Sequence, residues 1–259
     1  MKIAYIIFFI LIYPSTLMAD AYTLKSVKLT SAEYPPYYSK TLKNQGPVSE
    51  IIRTAFFNVG YTVQIDFYTW ARSEFFAQKG IEYDGMFPPW HTKQRESFFI
   101  FSQPLFDNII GLYKHKMDDI KFSDYADINH LSVGTVTGYA NPRGFDEAKF
   151  QKYFVSNDAR NIQMLCKRRV DLIIIDKLSA QYILTKQFPE CSNIIEWIEP
   201  ELEFKAQHLV ISLKTDNAKE IIKDFNHGLQ QLKNSGDMKK ILIKHGIYKA
   251  LLQTESIEE

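Results

Sequence analysis

The chain has 259 residues, of which 46% are hydrophobic and 24% are charged, as is ordinary for a globular protein. Its 31 basic and 30 acidic residues leave a net charge of +1, which excludes the broad basic surface that binds nucleic acid or anionic lipid. We therefore expect a ligand to be recognised locally, and the length suffices for two lobes of ordinary domain size.

The N-terminus has the pattern of an export signal. Lys2 precedes the apolar run 3–12, and small residues follow at Ala19 and Ala21. The run is shorter than the ~20 apolar residues that a membrane-spanning helix needs, and no cysteine follows it to carry a lipid. We predict a cleaved signal peptide over residues 1–21 and a periplasmic mature chain, with an uncleaved membrane anchor as the alternative.

The next segment alternates between strands and helices. Alternating apolar residues predict a strand over 25–30, which leads into an aromatic and proline-rich loop beginning at Tyr34. A helix is predicted from Gly46 and Pro47 to Gly60. A second strand over 61–67 and a helix from Trp70 to about residue 79 follow.

Residues 84–102, DGMFPPWHTKQRESFFIFS, are hard to explain by packing alone. The two prolines stop strand pairing and helix formation, so a rigid loop is expected to carry Trp90, Thr92 and Arg95. A guanidinium held between two structured elements can offer its two-pronged geometry to an anion. The alternative is that Arg95 pairs with Glu96 or another surface carboxylate.

The middle of the chain is predicted to contain a strand over 108–113, an irregular segment over 114–129 and a strand over 131–136. The glycine turn at Gly138 is expected to begin a helix, whose N-terminal N–H groups would favour negative charge in a cleft. Tyr139 and Asn141, which follow the glycine, are candidate ligand contacts.

A continuous apolar strand is predicted over 170–175, after a helix over about 159–168. It ends on Asp176, and a carboxylate at the carboxyl end of such a strand opens towards the crevice in which α/β sheets bind ligands. Asp176 could instead cap the helix that starts at Lys177, and the two roles can coexist.

The remaining chain is predicted to add a strand over 194–198 and to return towards the first lobe over 202–207. The apolar segment 209–213 then leads to helices over about 217–233 and up to 245. The two cysteines, Cys166 and Cys191, could form a structural disulfide in an exported protein or remain as buried thiols. The six histidines have no metal-binding spacing, and no nucleotide or serine-hydrolase motif is present, so no metal, cofactor or catalytic residue is predicted.

The pattern D-G-x-F-P-x-W-x-T-x-x-R-E-x-F-x-F-S-x-P at residues 84–104 resembles the first-lobe signature of the bacterial periplasmic solute-binding proteins of the polar amino acid family, family 3. The segment R-x-D-x-x-x-x-D that ends at Asp176 and the glycine turn at Gly138 are similar to later parts of the same family. Trp70 and Arg72 resemble its stand-alone W-x-R subgroup.

This resemblance implies an α/β fold of the two-lobed type II kind, with parallel-rich sheets and a hinge that the chain crosses twice. The lobes are expected over residues 22–112 with 208–259 and over 113–207. The family's roles place a ligand carboxylate on Arg95, a ligand ammonium on Asp176, and aromatic walls at Tyr34 and Trp70. Trp90, Thr92, Tyr139, Asn141 and Arg72 complete the predicted site, and Arg72 could equally form a salt bridge beneath it.

The function that the resemblance implies is reversible capture of a small polar solute, an amino acid or related carboxylate, by hinge closure of a monomer that serves a membrane transporter. Phe87 and its neighbours up to Trp90 replace small hydroxyl residues of the family, which favours a larger or flatter ligand. The alternatives are a ligand-sensing module for a membrane receptor and an enzyme similar to cyclohexadienyl dehydratases. The sequence shows no carboxylic acid in an apolar setting to support the enzyme.

Overall fold

The computed structural model describes residues 24–255, so the predicted signal peptide lies outside the described residues. Within that range the strands and α-helices are, in chain order, β1 (Lys25–Ser31), α1 (Pro47–Phe57), β2 (Tyr61–Phe67), α2 (Trp70–Lys79), β3 (Gly85–Met86), α3 (Lys93–Glu96), β4 (Phe99–Phe101), β5 (Asp107–His115), β6 (Ser132–Val136), β7 (Gln151–Val155), α4 (Asp158–Cys166), β8 (Leu172–Asp176), α5 (Lys177–Lys186), β9 (Ile195–Ala206), β10 (Val210–Ser212), α6 (Ala218–Asn234), α7 (Asp237–Lys244) and α8 (Tyr248–Glu255). No helix of the described residues has the length and apolar character to cross a membrane.

Two five-stranded sheets organise the chain into two lobes. The first sheet has the order β2-β1-β3-β10-β4, with β1 parallel to β2 and β3 and with β10 antiparallel to both of its neighbours. The second has the order β7-β6-β8-β5-β9, with β6 parallel to β7 and β8 and with β5 antiparallel to both of its neighbours. The predicted α/β fold with two lobes and parallel-rich sheets is confirmed.

The chain crosses between the sheets twice. It leaves the first sheet after β4 and returns to it through the short link between β9 and β10. The sequence analysis places the first crossing within the strand over 108–113 and the lobe boundary at residue 113. The structure instead pairs β5 along its whole length with β8 and β9, so the change of sheet occurs before Asp107.

Helices cover the apolar faces of the first sheet. Phe56 of α1 and Phe225 of α6 are buried, with ring centroids 4.9 Å apart. The two helices approach closely at Gly228, where an added Cβ would lie 1.9 Å from the carbonyl oxygen of Ala55. A side chain at residue 228 would therefore push α6 away from α1.

In the second lobe, Cys166 at the end of α4 and Cys191 form a disulfide with a Cα–Cα distance of 5.7 Å. Of the two alternatives that the sequence left open, a disulfide or two buried thiols, the disulfide is correct. The bridge connects the end of α4 to the chain that precedes β9, so it ties together parts of one lobe.

Three sequence predictions of secondary structure are wrong. No helix follows Gly138, because the chain continues through turns that include Pro142 and the left-handed Gly144 before it enters β7. The strand predicted over 194–198 is too short, because β9 continues to Ala206 and pairs with β5 across a shift of register. β7 and α8 were not predicted.

Candidate ligand site between the lobes

A small aromatic cavity of about 20 Å³ lies at the contact between the lobes. The first lobe provides most of its wall and the second lobe provides the rest. It is lined by Tyr34, Tyr38, Trp70, Pro88, Trp90, Arg95, Asn108, Tyr139 and Ala140. We refer to this space as the aromatic cavity. Five of the predicted site residues, Tyr34, Trp70, Trp90, Arg95 and Tyr139, are thus brought together.

The loop after β1 delivers Tyr34 to the cavity. The ring of Tyr34 stacks on that of Tyr37 with centroids 5.5 Å apart, and burial raises the pKa of the Tyr34 hydroxyl well above its usual value. That hydroxyl is buried and has no hydrogen-bond partner among the described residues. Tyr34 therefore supplies both an aromatic wall and an unused polar atom.

Arg95 is held by the first lobe. Its own N–H donates to the hydroxyl of Thr92, which caps α3, and its side chain turns inward with 6% of the residue exposed. Nε donates to Glu74 Oε1 over 2.7 Å and Nη1 donates to the carbonyl oxygen of Trp90 over 3.0 Å. The guanidinium also lies over the ring of Trp70. The carboxylate partner is the half-buried Glu74 of α2, while Glu96 pairs with His91 instead.

The carbonyl oxygen of Gly138 joins the two lobes. It accepts hydrogen bonds from Trp70 Nε1 over 3.0 Å and from Arg95 Nη2 over 3.2 Å. Gly138 has a φ of +83°, a conformation that side-chain-bearing residues rarely adopt. Two donors of the first lobe thus converge on one acceptor of the second lobe.

Tyr139 enters the aromatic cavity from the second lobe. Its ring meets Tyr34, Trp70 and Trp90 edge-on, with centroids 6.3, 5.8 and 5.8 Å away. Its hydroxyl donates to Asp158 Oδ2 over 2.8 Å. Tyr139 therefore occupies the space between aromatic side chains that a flat ligand group would use.

Asp176 ends β8 and caps α5, which confirms the helix-cap role. Oδ1 accepts from the N–H of Ser179 over 2.7 Å, and Oδ2 accepts from Asn108 Nδ2 and from the hydroxyl of Tyr37. Burial raises the pKa of the carboxyl to about 6. Asp176 does not line the aromatic cavity, and its role towards a ligand ammonium stays a prediction.

Asp158, the first residue of α4, is a buried carboxyl that the sequence analysis did not identify. Burial, opposed by the hydrogen bond from Tyr139 and reinforced by repulsion from Asp176, raises its pKa to about 7. The statement that no carboxylic acid lies in an apolar setting is therefore wrong. A single sequence cannot show this, because the burial of Asp158 depends on the first lobe packing over α4.

Besides Asp176, three predicted site residues lie away from the aromatic cavity. Thr92 caps α3, and Asn141 accepts a hydrogen bond from the hydroxyl of Thr135. Both line a neighbouring open cleft with Arg95. Arg72 is exposed and stacks over the rings of Tyr68 and Phe76. Arg72 forms no salt bridge with the described residues, and a ligand contact for it stays a prediction.

The sequence analysis also missed Glu74 and Asn108. Glu74 follows Trp70 by four residues on α2, so helical spacing alone could have placed it beside the aromatic wall. Asn108 Oδ1 accepts from Trp90 Nε1 and from Gln207 Nε2, which links the proline loop to both crossings between the lobes. No cluster of possible metal ligands occurs among residues 24–255.

The fold is the two-lobed type II periplasmic-binding-protein fold. No family model and no curated protein matches the sequence. Among solved structures, the chain is similar to the GluR0 ligand-binding core from Nostoc punctiforme in complex with L-glutamate, with a TM-score of 0.72 and 17% identity over 85% of this chain and 99% of that one.

Two further structures have the same arrangement. One is a histidine kinase sensor domain with similarity to periplasmic binding proteins, with a TM-score of 0.73 and 15% identity over 86% of this chain and 97% of that one. The other is an ancestral arginine-binding protein bound to arginine, with a TM-score of 0.73 and 18% identity over 86% and 99%. At these identities the likeness establishes the fold alone.

Proposed function

We propose that this protein is an exported solute-binding protein that captures a small ligand between its lobes by closure of the two-crossing hinge. The observation that carries the proposal is the Gly138 carbonyl oxygen, on which donors of the first lobe converge. When the lobes separate, Trp70 Nε1 and Arg95 Nη2 lose this acceptor. A ligand oxygen that replaces it would recover both hydrogen bonds.

This geometry favours a ligand with an acceptor group, such as the carboxylate of an amino acid or a related acid. Glu74 already neutralises much of the charge of Arg95, so Arg95 would orient the ligand oxygen more than attract it over distance. The rings of Tyr34, Trp70 and Trp90 then favour a flat or apolar remainder. The ammonium contact at Asp176 is retained as a prediction of the family resemblance.

Closure of the lobes would depend on the ligand, because both lobes form the site. The ligand would stabilise the closed arrangement only as far as it contacts both lobes at once. Tyr139 would move out of the aromatic cavity or stack on the ligand as an added wall. The ligand would thus compete with a contact that the protein makes with itself.

The experiment is a thermal-shift screen over amino acids, small acids and aromatic metabolites, because a ligand that binds the folded state raises the unfolding midpoint. The strongest compound is then tested on Trp70→Phe and on the matched control Trp197→Phe, whose ring packs against Gly111 in the second lobe. We expect Trp70→Phe to lose most of the shift and Trp197→Phe to keep it. Equal shifts in both variants would contradict the proposal.

The biological output is proposed as delivery to a membrane transporter, with a sensor role as the alternative. The similar structures include a histidine kinase sensor domain as well as an arginine-binding protein. A neighbouring gene for a permease would favour transport, and one for a membrane kinase or cyclase without a permease would favour sensing.

An enzyme is the second candidate, because Asp158 has a pKa of about 7 and could exchange a proton near neutral pH. Incubation with prephenate tests the dehydratase reaction directly. Formation of phenylpyruvate, followed by its absorbance and lost in Asp158→Asn, would replace the pure binding function. We expect no turnover.

A further inference from the structure

A second cavity between the lobes shares Tyr34 with the aromatic cavity. It has a volume of about 250 Å³. The first lobe contributes residues from Glu33 to Thr41, and the second lobe contributes the start of α4 and one face of α5. We call this space the acidic cavity, because its charged lining residues are Glu33 and Asp158, and no Lys, Arg or His of the described chain lines it.

Three residues that line the acidic cavity have a buried polar atom without a hydrogen-bond partner among residues 24–251. They are Ser179, through Oγ, and the pair Asp158 and Tyr34, through Oδ1 and the hydroxyl oxygen, each of these two residues being 4% exposed. The other carboxylate oxygen of Asp158 accepts from Tyr139. Unpartnered buried polar atoms are rare and costly, so the pair marks a place where a ligand group would be stabilised.

The charges around Asp158 indicate which kind of ligand group the acidic cavity would bind. Asp158 forms no ion pair within the described part of the chain. Its position at the N-terminus of α4 nevertheless favours negative charge through the helix dipole. The nearby carboxyl of Asp176 adds repulsion. A buried carboxylate that lacks a cation is destabilised, and a ligand that supplies one removes that cost.

We propose that the acidic cavity binds a small organic cation, whose ammonium group pairs with Asp158 Oδ1 and donates a second hydrogen bond to the Tyr34 hydroxyl. Both lobes line the cavity, so the cation bridges them. The proposal goes beyond the solute-binding function, because it adds a site whose carboxylate is Asp158, whereas the predicted ammonium contact, Asp176, has both oxygens occupied by protein donors.

The titration of Asp158 gives the site a pH dependence. The groups that face it are Tyr34 and Tyr38 from the first lobe, Tyr139 from the turn after β6, and Asp176 from the end of β8, with Glu33 in the same cavity wall. None of these is a cation. Because the pKa of Asp158 is about 7, an ammonium ion competes with a proton, and affinity falls about tenfold between pH 8 and pH 6.

The test is calorimetric titration of the full mature protein with 1,4-diaminobutane and with its neutral counterpart 1,4-butanediol. We expect the diamine to bind and the diol not to bind. Asp158→Asn should weaken diamine binding at least about tenfold and abolish its pH dependence between pH 6 and pH 8. The matched control Asp119→Asn removes an exposed carboxylate of the second lobe and should bind as the unaltered protein does.

Tyr34→Phe removes only the hydroxyl and should weaken the diamine about threefold to tenfold. Circular dichroism and a cooperative thermal transition establish that each variant is folded. The proposal is overturned by no diamine binding to the unaltered protein, by equal binding of the diol, or by unchanged affinity in Asp158→Asn. A compound from the thermal-shift screen that still requires Trp70 would leave the solute-binding function standing in each of these cases.

Discussion

The two cavities that share Tyr34 differ in whether their buried charged side chain has a partner of opposite charge. In the aromatic cavity, Arg95 is paired with Glu74 and with two backbone carbonyls. In the acidic cavity, Asp158 has one hydrogen bond and no cation within the described residues. The comparison indicates that Arg95 is satisfied by the protein's own groups, whereas Asp158 lacks a cationic partner that a ligand would supply.

This difference predicts two kinds of recognition at one interface. The aromatic cavity would select by ring faces and by an acceptor oxygen at the place of the Gly138 carbonyl. The acidic cavity would select by charge. Tyr139 connects them, because its ring fills the first and its hydroxyl contacts the carboxylate of the second.

The largest expected effect is the pH dependence of stability that Asp158 contributes. Its pKa is raised from 3.8 to about 7 in the folded protein, so the folded state binds the proton more tightly than the unfolded state does. The stabilisation that this pKa shift adds to the free energy of unfolding is about 4 kcal/mol in total. It is complete below about pH 4 and is lost as the pH rises through 7. Urea unfolding at pH 4, 6 and 8 should show this loss in the unaltered protein.

In Asp158→Asn the same series should be flatter, because Asp158 no longer titrates. Asp176, whose pKa is raised to about 6, still contributes a loss of the same sign at lower pH. Identical slopes in the two proteins would show that Asp158 titrates normally. The contrast with the aromatic cavity would then disappear.

Loss of the buried ion pair should have the next largest effect. Arg95→Ala leaves the carboxylate of Glu74, which has 16% side-chain exposure, without its cation, and we expect the free energy of unfolding to fall by about 3 kcal/mol. The double variant Arg95→Met with Glu74→Gln should recover most of the loss. Urea unfolding that places Arg95→Ala at the stability of the unaltered protein would contradict a structural role for Arg95.

A smaller effect is expected at the carboxylate whose bonds are all satisfied. Asp176→Asn replaces one of the oxygens that accept from Ser179, Asn108 and Tyr37 by an amide donor, at a cost of about 1 to 2 kcal/mol. Asp119→Asn, which changes an exposed acid of the second lobe, is the control. A stability cost without any change in ligand affinity would assign Asp176 to helix capping alone.

The smallest expected effect separates the ring of Tyr139 from its hydroxyl. Tyr139→Phe removes the hydrogen bond to Asp158 Oδ2 and should lower stability by about 1 kcal/mol. It should also raise the pKa of Asp158 further, because that bond favours the charged form. The carboxyl titration followed by NMR would show this shift, and an unchanged titration would mean that the two side chains are not coupled in solution.

Local patterns in the sequence predict much of the fold. The strand over residues 61–67 and the helix from Trp70 to Lys79 have the bounds that alternation and helical spacing indicate. The turn at Gly138 was misjudged because Pro142 and Gly144 end any helix that starts there. The strand predicted over 194–198 stops before Pro200, whereas pairing with β5 carries β9 across the proline to Ala206.

The site is predicted less completely, for a physical reason. Aromatic residues beside prolines point to Tyr34 and Trp90, because such residues fit a core poorly. The partners of charged residues come from distant parts of the chain, as with Glu74 and Arg95, or from the other lobe, as with Asp158 beneath Tyr34. A single sequence does not show which distant residues come into contact in this way.

The central claim is that ligand reaches a site that both lobes enclose. An added Cβ at Gly138 would lie 3.7 Å from the Cβ of Ala71, which is a suitable spacing for a disulfide across the lobes. In Ala71→Cys with Gly138→Cys, binding of the strongest compound from the thermal-shift screen is measured before and after oxidation. Gly138→Cys alone is the control, because a side chain at its φ of +83° is strained with or without the disulfide. We predict that the oxidised double variant no longer binds and that selective reduction restores binding; unchanged affinity in the oxidised form would contradict the account.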